Sequence, residues 1–176
     1  MALVVFLRGI NVGGHRRARP TELAEKMKRY GVVSIGAAGT FVVRAPPRRA
    51  ELRAELRRQL PFETEVTICD GRELRAAASR GPFIDDLTRA DIIRFVSILG
   101  RRPRIARPAP ITLPPEGRWI VKVLATEDRF AFGIYRREMR AIGVLGELDR
   151  VFGVPVTTRS WSTIAAVLNA LERDDP

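Results

Sequence analysis

The chain has 176 residues, 31 Lys and Arg against 20 Asp and Glu, one Cys, one His and a formal charge of +11. A single Cys excludes a disulfide framework and a cysteine-rich zinc site, and a single His excludes a metal site with several histidine ligands. The hydrophobic fraction of 45% is typical of a globular protein with a core, and the length fits one large domain or two small ones.

Most of the basic charge comes from arginine, with 28 Arg and 3 Lys. Arginine pairs well with phosphate and carboxylate groups, and an excess of basic residues attracts polyanions. The charge is spread along the chain, at +7 over residues 1–90 and +4 over residues 91–176. Because spread charge is also typical of a solvated surface, it is by itself a weak sign of nucleic-acid binding.

Residues 2–7 form an apolar run that is too short for the core of a signal peptide, and no basic region precedes it. No apolar run approaches the ~18 residues that cross a bilayer. We therefore expect a cytoplasmic protein with no membrane partner.

The first half of the chain predicts the order strand, helix, strand, strand, helix, strand, with a further short helix. Pro20 is typical of a helix start, and Gly31 of a helix end. The predicted strands are residues 2–7, 32–35, 41–44 and 65–69, and the predicted helices are residues 20–30, 48–60 and 71–80. This order is that of a ferredoxin-like, or split β-α-β, half.

The second half repeats much of this order after a connection at residues 81–90. Residues 101–118 contain five prolines and five arginines, so they predict an extended loop in place of a helix. The predicted strands are residues 92–99, 119–125, 129–135 and 154–156, and the predicted helices are residues 138–152, with an interruption at Gly143 or Gly146, and 162–173. We thus expect an α+β fold of two ferredoxin-like halves with antiparallel sheets and a C-terminal helix, divided into residues 1–80, 81–90 and 91–176.

The first candidate site is the loop that joins the first strand to the first helix. Glycines let backbone N–H groups approach a ligand, and arginines add charge-assisted contacts to an anion. The loop has neither the end of a phosphate-binding P-loop nor the glycine spacing of a dinucleotide site. Its glycines can equally serve only to relieve backbone strain. The candidate anion ligands are Arg8, Gly9, Asn11, Gly13, Gly14, Arg16 and Arg17.

The second candidate site opens the last helix at residues 157–163. Thr158, Arg159 and Ser160 are the candidate ligands, because a helix start with a nearby arginine can hold an anion. The alternative is an ordinary capped helix, with Ser160 or Ser162 as the cap and Trp161 as a core residue.

The remaining reactive residue types favour no catalytic or metal site. His15 stands alone in a basic loop, and Cys69 reads as a small buried hydrophobic residue. The carboxylate pairs at residues 85–86 and 127–128 are typical of solvated turns. No nucleophile–base pair has a recognisable order, which disfavours catalysis. With one His, one Cys and carboxylate pairs in solvated turns, we expect no metal and no cofactor.

Two segments resemble the bacterial domain-of-unknown-function 1697 family. Residues 7–14 (LRGINVGG) are similar to the family's N-terminal hallmark, and residues 157–163 (TTRSWST) are similar to its closing motif. The resemblance implies an α+β fold of two ferredoxin-like halves and no established activity. The chain departs from the family pattern at residues 38–40, at Ser160 and Ser162 around Trp161, and in the proline-rich stretch 101–118, which predicts a divergent member.

Together these observations predict a non-catalytic protein that binds an anion or phosphate-bearing ligand, either a nucleotide or a nucleic acid. Two alternatives remain open. One is an enzyme of unknown class with a polar site between the halves, and the other is a structural module whose motifs serve packing. The sequence leaves the oligomeric state open.

Overall fold

A computed structural model describes residues 1–11, 17–83, 89–103 and 107–173. The chain divides into two compact units, Met1–Leu74 with Ala165–Pro176, and Arg75–Ile164. The division passes through two helices, and each unit contains one antiparallel sheet. The protein therefore has the α+β fold that the sequence predicts.

The first unit alternates strands and helices in the predicted order. Its elements are β1 (Leu3–Leu7), α1 (Pro20–Lys26), β2 (Val32–Ile35), β3 (Thr40–Val43), α2 (Arg49–Gln59), β4 (Val66–Asp70) and the start of α3 (Gly71–Ser79). The strands lie in the order β2-β3-β1-β4, and all neighbours are antiparallel. This is the strand order that a split β-α-β half produces when each helix connects two strands across a third.

Local sequence explains where these elements begin and end. Pro20 occupies the first turn of α1, where its missing N–H costs nothing. Gly31 adopts φ +61° after a short 3₁₀ turn and so ends the helical segment. The leucines Leu52 and Leu56 on α2 pack against the sheet, while β1 is buried along its whole length. The core of this unit lies between the sheet and helices α1 and α2.

The second unit has a five-stranded sheet in the order β6-β7-β8-β5-β9. Its elements are the rest of α3, β5 (Ile92–Leu99), β6 (Ile111–Leu113), β7 (Val121–Glu127), β8 (Phe130–Arg136), α4 (Ala141–Gly146), α5 (Leu148–Phe152), β9 (Val156–Ser160) and the first turn of α6 (Trp161–Glu172). The order β7-β8-β5-β9 repeats that of the first sheet. Strand β6 is added at one edge.

Three sequence expectations differ from this structure in detail. The proline-rich stretch 101–118 is not wholly a loop, because Ile111–Leu113 pair with β7 at the sheet edge, where few backbone donors are needed. The helix predicted over residues 138–152 is two helices, α4 and α5, and the break after Gly146 is one of the two positions predicted. The final strand is Val156–Ser160 and not residues 154–156, because its β-branched residues pair with β5.

Candidate functional site

The described part of the first motif is folded tightly onto the core. Leu7 ends β1, and its N–H donates to the Gly39 carbonyl at 2.8 Å. Ile10 is 1% exposed and packs into the hydrophobic core of the first unit. A Cβ at Gly39 would lie 2.5 Å from Ile10 Cδ1, so only glycine, at φ +72°, fits beneath this loop. Leu7 and Ile10 of the motif therefore contribute to the packing of the core.

Arg8 is held by a carboxylate. Its Nη1 donates to Glu65 Oε2 at 2.8 Å, and its backbone N–H donates to the Glu65 carbonyl at 3.0 Å. Thr64 Oγ1 donates to the Arg8 carbonyl. A ligand anion at Arg8 would have to compete with Glu65, and the adjacent groove of about 880 Å³ contains Arg8 and Arg57 against Glu63 and Glu65.

Asn11 also has its partners within the fold. Its Nδ2 donates to the Ala18 carbonyl at 2.9 Å and to the Ala37 carbonyl at 2.7 Å, and its Oδ1 accepts the Ala18 N–H at 3.1 Å. The backbone adopts φ +56°, which Asn tolerates better than most residues. Asn11 thus ties its own loop to the start of α1 and to the β2–β3 turn.

Gly9 adopts φ +65° at the turn between Arg8 and Ile10, a conformation that favours glycine. Gly13, Gly14 and Arg16 lie outside the described residues. Arg17 lines a second groove, on the side of the first unit that carries α1 and α2.

This groove, the α1–α2 groove, has a volume of about 960 Å³. Helix α1 forms one wall and the end of α2 the other, and the nearly buried Leu23 and Leu60 supply apolar surface. Its charged side chains are Arg17, Arg19, Glu22, Lys26 and Arg58. Four cations therefore line the groove together with one carboxylate.

Two of these cations already have carboxylate partners. Arg19 Nη1 lies 2.8 Å from Glu22 Oε1, and Arg58 Nη2 lies 2.7 Å from Glu55 Oε2. Hydrogen bonds from Gln59 and Arg58 lower the pKa of the Glu55 carboxyl, which therefore stays ionised.

Arg17 and Lys26 differ from those two cations. Both are exposed, and within the described part of the chain neither side chain takes part in a hydrogen bond or an ion pair. An anion can approach both without displacing a carboxylate.

The second predicted site lies in the other unit and is a strand followed by a helix cap. Thr158 and Ser97 hydroxyls are 2.7 Å apart across β9 and β5. Ser160 Oγ accepts the Thr163 N–H at 3.4 Å, so Ser160 is the cap of α6. Trp161 packs edge-on against Phe83 with ring centroids 5.0 Å apart.

Arg159 is a buried charged residue, at 8% exposed. Its Nη1 donates to the Thr158 carbonyl at 2.8 Å. Burial lowers the pKa of the Arg159 guanidinium from its ordinary value to about 10, so the group remains charged at neutral pH. The structure places Arg8 and Arg17 in the first unit and Arg159 in the second.

Within residues 1–11, 17–83, 89–103 and 107–173 no group of three or more His, Cys, Asp or Glu is arranged to hold a metal ion. In the same part of the chain, no helix has the length and apolar character needed to cross a bilayer.

A comparison with protein families matches the first part of the chain. A model for a family of proteins of unknown function, DUF1697, matches residues 1–111. The chain belongs to the DUF1697 family. The match includes the loop that carries Arg8 to Arg17 and both walls of the α1–α2 groove. It ends before residues 157–163.

A solved structure supports the fold of this DUF1697 chain. The conserved bacterial protein SP0830 from Streptococcus pneumoniae is 14% identical, and the similarity covers 96% of this chain and 97% of that one with a TM-score of 0.58. At that identity the likeness is one of fold. No match was found among curated proteins.

Sequence reasoning missed Lys26 and Arg58 as residues of this DUF1697 chain's groove. Each lies in or next to the last turn of its helix, and both helices cover the same face of the sheet. The split β-α-β order could have indicated this, because its two helices lie side by side on one face. Neither candidate segment, residues 8–17 nor residues 157–163, includes a position on α1 or α2.

Proposed function

We propose that this DUF1697 protein is a non-catalytic binding protein for a phosphate-bearing ligand, a nucleotide or a nucleic acid, and that the α1–α2 groove holds the phosphate. The observation that carries the proposal is the placement of Arg17 and Lys26, which line one groove, are exposed, and have no carboxylate partner in the described part of the chain. The proposal keeps Arg17 from the predicted loop and adds Lys26 and Arg58.

The chemistry of the groove suits a phosphate better than an uncharged ligand. An arginine fork and a lysine ammonium can each donate to a phosphate oxygen, and charge-assisted hydrogen bonds are about twice as strong as neutral ones. Arg19 and Arg58 add positive potential although each is paired. The apolar surface of Leu23 and Leu60 offers contact to a sugar or a base.

The test compares two double variants with the same loss of charge. Arg17→Ala with Lys26→Ala removes the two unpaired cations, and Arg49→Ala with Arg140→Ala removes two exposed arginines outside the groove. Fluorescence anisotropy with labelled ATP and a labelled oligouridylate measures the dissociation constants.

We expect the groove variant to weaken binding by about tenfold or more, since each phosphate contact contributes about 1 kcal/mol, and the control variant to change it less than about threefold. Equal losses in both variants would mean that only the bulk charge acts. If the wild-type protein binds neither probe, the proposal fails. Circular dichroism of both variants verifies that they fold.

A further inference from the structure

Trp119 lies in the second unit beneath two cations. The Arg136 guanidinium carbon is 4.1 Å from the centre of the Trp119 ring, and Lys122 Nζ is 4.7 Å from it. The ring is half-buried, at the point where the proline-rich stretch leads into β7. Nothing in the proposed function uses this cluster of residues.

The two cations are held differently. Arg136 Nε donates to the Trp119 carbonyl at 2.9 Å, and its Nη1 lies 3.9 Å from Asp91 Oδ2, so its position is fixed by the backbone and by a carboxylate. Lys122 has no hydrogen bond or ion pair within the described part of the chain, and its ammonium lies over the ring. A planar group with a stronger attraction for the ring can therefore displace Lys122 without breaking an ion pair.

A third cation lies on the same face of the sheet. Strand register places Lys122 opposite Ile134 and Ile134 opposite Arg94, so the three residues form one row across β7, β8 and β5. Arg136 lies two residues from Ile134 and thus shares this face. Lys122, Arg136 and Arg94 are all half-buried and so reach solvent, whereas Ile134 between Lys122 and Arg94 is only 8% exposed.

We propose that Trp119 is a stacking site for one base of a single-stranded nucleic acid, with Lys122, Arg136 and Arg94 on the phosphates. The inference goes beyond the proposed function, because it concerns other residues in the other unit and stands without the α1–α2 groove. Aromatic rings beside a row of cations bind single strands because a base stacks on the ring while the backbone follows the charge. Base stacking on an aromatic ring is stronger than an ammonium–ring contact that solvent still reaches, so the base replaces Lys122 on the ring.

Two other partners fit this surface less well. A duplex keeps its bases stacked inside, so it can offer Trp119 only phosphates and sugars. An acidic peptide can pair with the cations but has no planar group that must lie on the indole. A fluorescence titration distinguishes both partners from a single strand.

The chain offers a direct spectroscopic readout, because Trp119 and Trp161 are its two tryptophans. In the Trp161→Phe variant, Trp119 is the only tryptophan and reports on the proposed site. In the Trp119→Phe variant, Trp161 is the only tryptophan and serves as the control. A base stacked on the indole quenches its fluorescence, so oligouridylate should quench the Trp161→Phe protein by a large fraction and the Trp119→Phe protein little. Inorganic polyphosphate and polyglutamate supply anions without bases.

Quenching by oligouridylate that polyphosphate and polyglutamate do not reproduce supports the proposal. Equal quenching by all three probes, or none by oligouridylate, overturns it. Quenching by a duplex as strong as that by the single strand also overturns it. The same titration is repeated with the Arg17→Ala, Lys26→Ala substitutions added to the Trp161→Phe protein. Quenching that persists there shows that this site binds independently of the α1–α2 groove.

Affinities give a second, independent readout. Trp119→Ala should weaken oligouridylate binding by about tenfold, whereas Trp119→Phe, which keeps an aromatic face, should stay within about threefold of the wild type. Lys122→Gln, which preserves the ring, should lower the steepness of the salt dependence by about 0.7. If Trp119→Phe and Trp119→Ala lose the same affinity, or if Lys122→Gln leaves the salt dependence unchanged, stacking beside a phosphate contact is not the mode of binding.

Discussion

Asn11 shows at the residue scale how a polar side chain in a conspicuous motif can be used by the fold. Its amide and carbonyl make three hydrogen bonds to the backbone of Ala18 and Ala37. Arg8 is likewise held by Glu65. Arg17 and Lys26, by contrast, have no hydrogen bond or ion pair within the described residues, and these exposed cations line one groove.

We expect Asn11→Ala to lower the free energy of unfolding by about 2 kcal/mol. The variant loses the three hydrogen bonds of the Asn11 side chain. It also places alanine at φ +56°, a left-handed conformation that its Cβ disfavours. Asn11→Gly loses the same bonds but tolerates the backbone conformation, so it should cost about 1 kcal/mol. Urea unfolding followed by circular dichroism measures both. Equal losses would show that the backbone conformation contributes nothing.

Arg159 permits a prediction about pH, because burial lowers its pKa to about 10. The same burial would lower the pKa of the lysine in an Arg159→Lys variant below the value of about 10.4 that it has in the unfolded chain. Between these values the unfolded chain binds the proton and the folded chain does not, so stability rises with pH.

The free energy of unfolding of the Arg159→Lys variant should therefore rise relative to that of the wild type between pH 7 and pH 9.5, by on the order of 1 kcal/mol, since the wild-type guanidinium stays mostly protonated there. Arg159→Met has no group that titrates there, so its difference from the wild type should stay constant. Urea unfolding at several pH values tests this, and a flat Arg159→Lys difference would contradict the burial of charge at this position.

At the scale of elements, the second sheet depends on a close approach of its strands. Gly133 in β8 pairs with Val123 in β7 and with Phe95 in β5, next to an irregularity in the β7 register. A Cβ at Gly133 would lie 2.5 Å from Phe95 Cζ and would also meet the Lys122 carbonyl. The Phe95 ring thus occupies the space that a side chain at position 133 would need.

Gly133→Ala should therefore destabilise the protein by about 3 kcal/mol, since neither the ring nor the backbone can yield without strain. Gly143 in α4 is the matched control, because a Cβ there meets nothing within 4 Å. Gly143→Ala should stabilise the protein by about 0.5–1 kcal/mol, as alanine favours a helix over glycine. Thermal and urea unfolding measure both, and a neutral Gly133→Ala would contradict the packing described.

At the scale of the whole molecule, the charge of +11 is divided between paired and unpaired groups. Many arginines lie beside carboxylates at short sequence distance, as in Arg150–Glu147 and Arg89–Asp91. Such exposed pairs contribute little to stability, and they reduce the charge that a ligand meets. A few cations should therefore dominate binding.

The salt dependence of binding tests this expectation. If Arg17, Lys26 and Arg58 each contact one phosphate of a single strand, the α1–α2 groove contributes about 2 to the slope of log affinity against log salt, at about 0.7 per contact. Arg17→Ala with Lys26→Ala should reduce the measured slope by about 1.4, and Arg49→Ala with Arg140→Ala should leave it unchanged. Equal reductions would assign the effect to net charge.

The element order, the strands and most helix ends could be predicted from the sequence, because each depends on local features. Pro20 and Gly31 mark the ends of the first helical segment, and apolar runs mark β1 and β5. The polar strand β9 was predicted poorly, since pairing with β5 and not its own hydrophobicity makes it a strand. Residues 7–14 identified the family, whose model matches residues 1–111.

The sequence by itself thus determined the α+β class, the split β-α-β order and the family, because short-range periodicity and turn residues encode them. Only the tertiary structure decided which charged groups are available. Arg8 pairs with Glu65, which lies 57 positions further along the chain, and Asn11 donates a hydrogen bond to Ala37, which lies 26 positions further along. The α1–α2 groove arises because two helices cover one face of a sheet. Such long-range neighbours follow from strand order and register, so the partners of a charge become known only when the chain has folded.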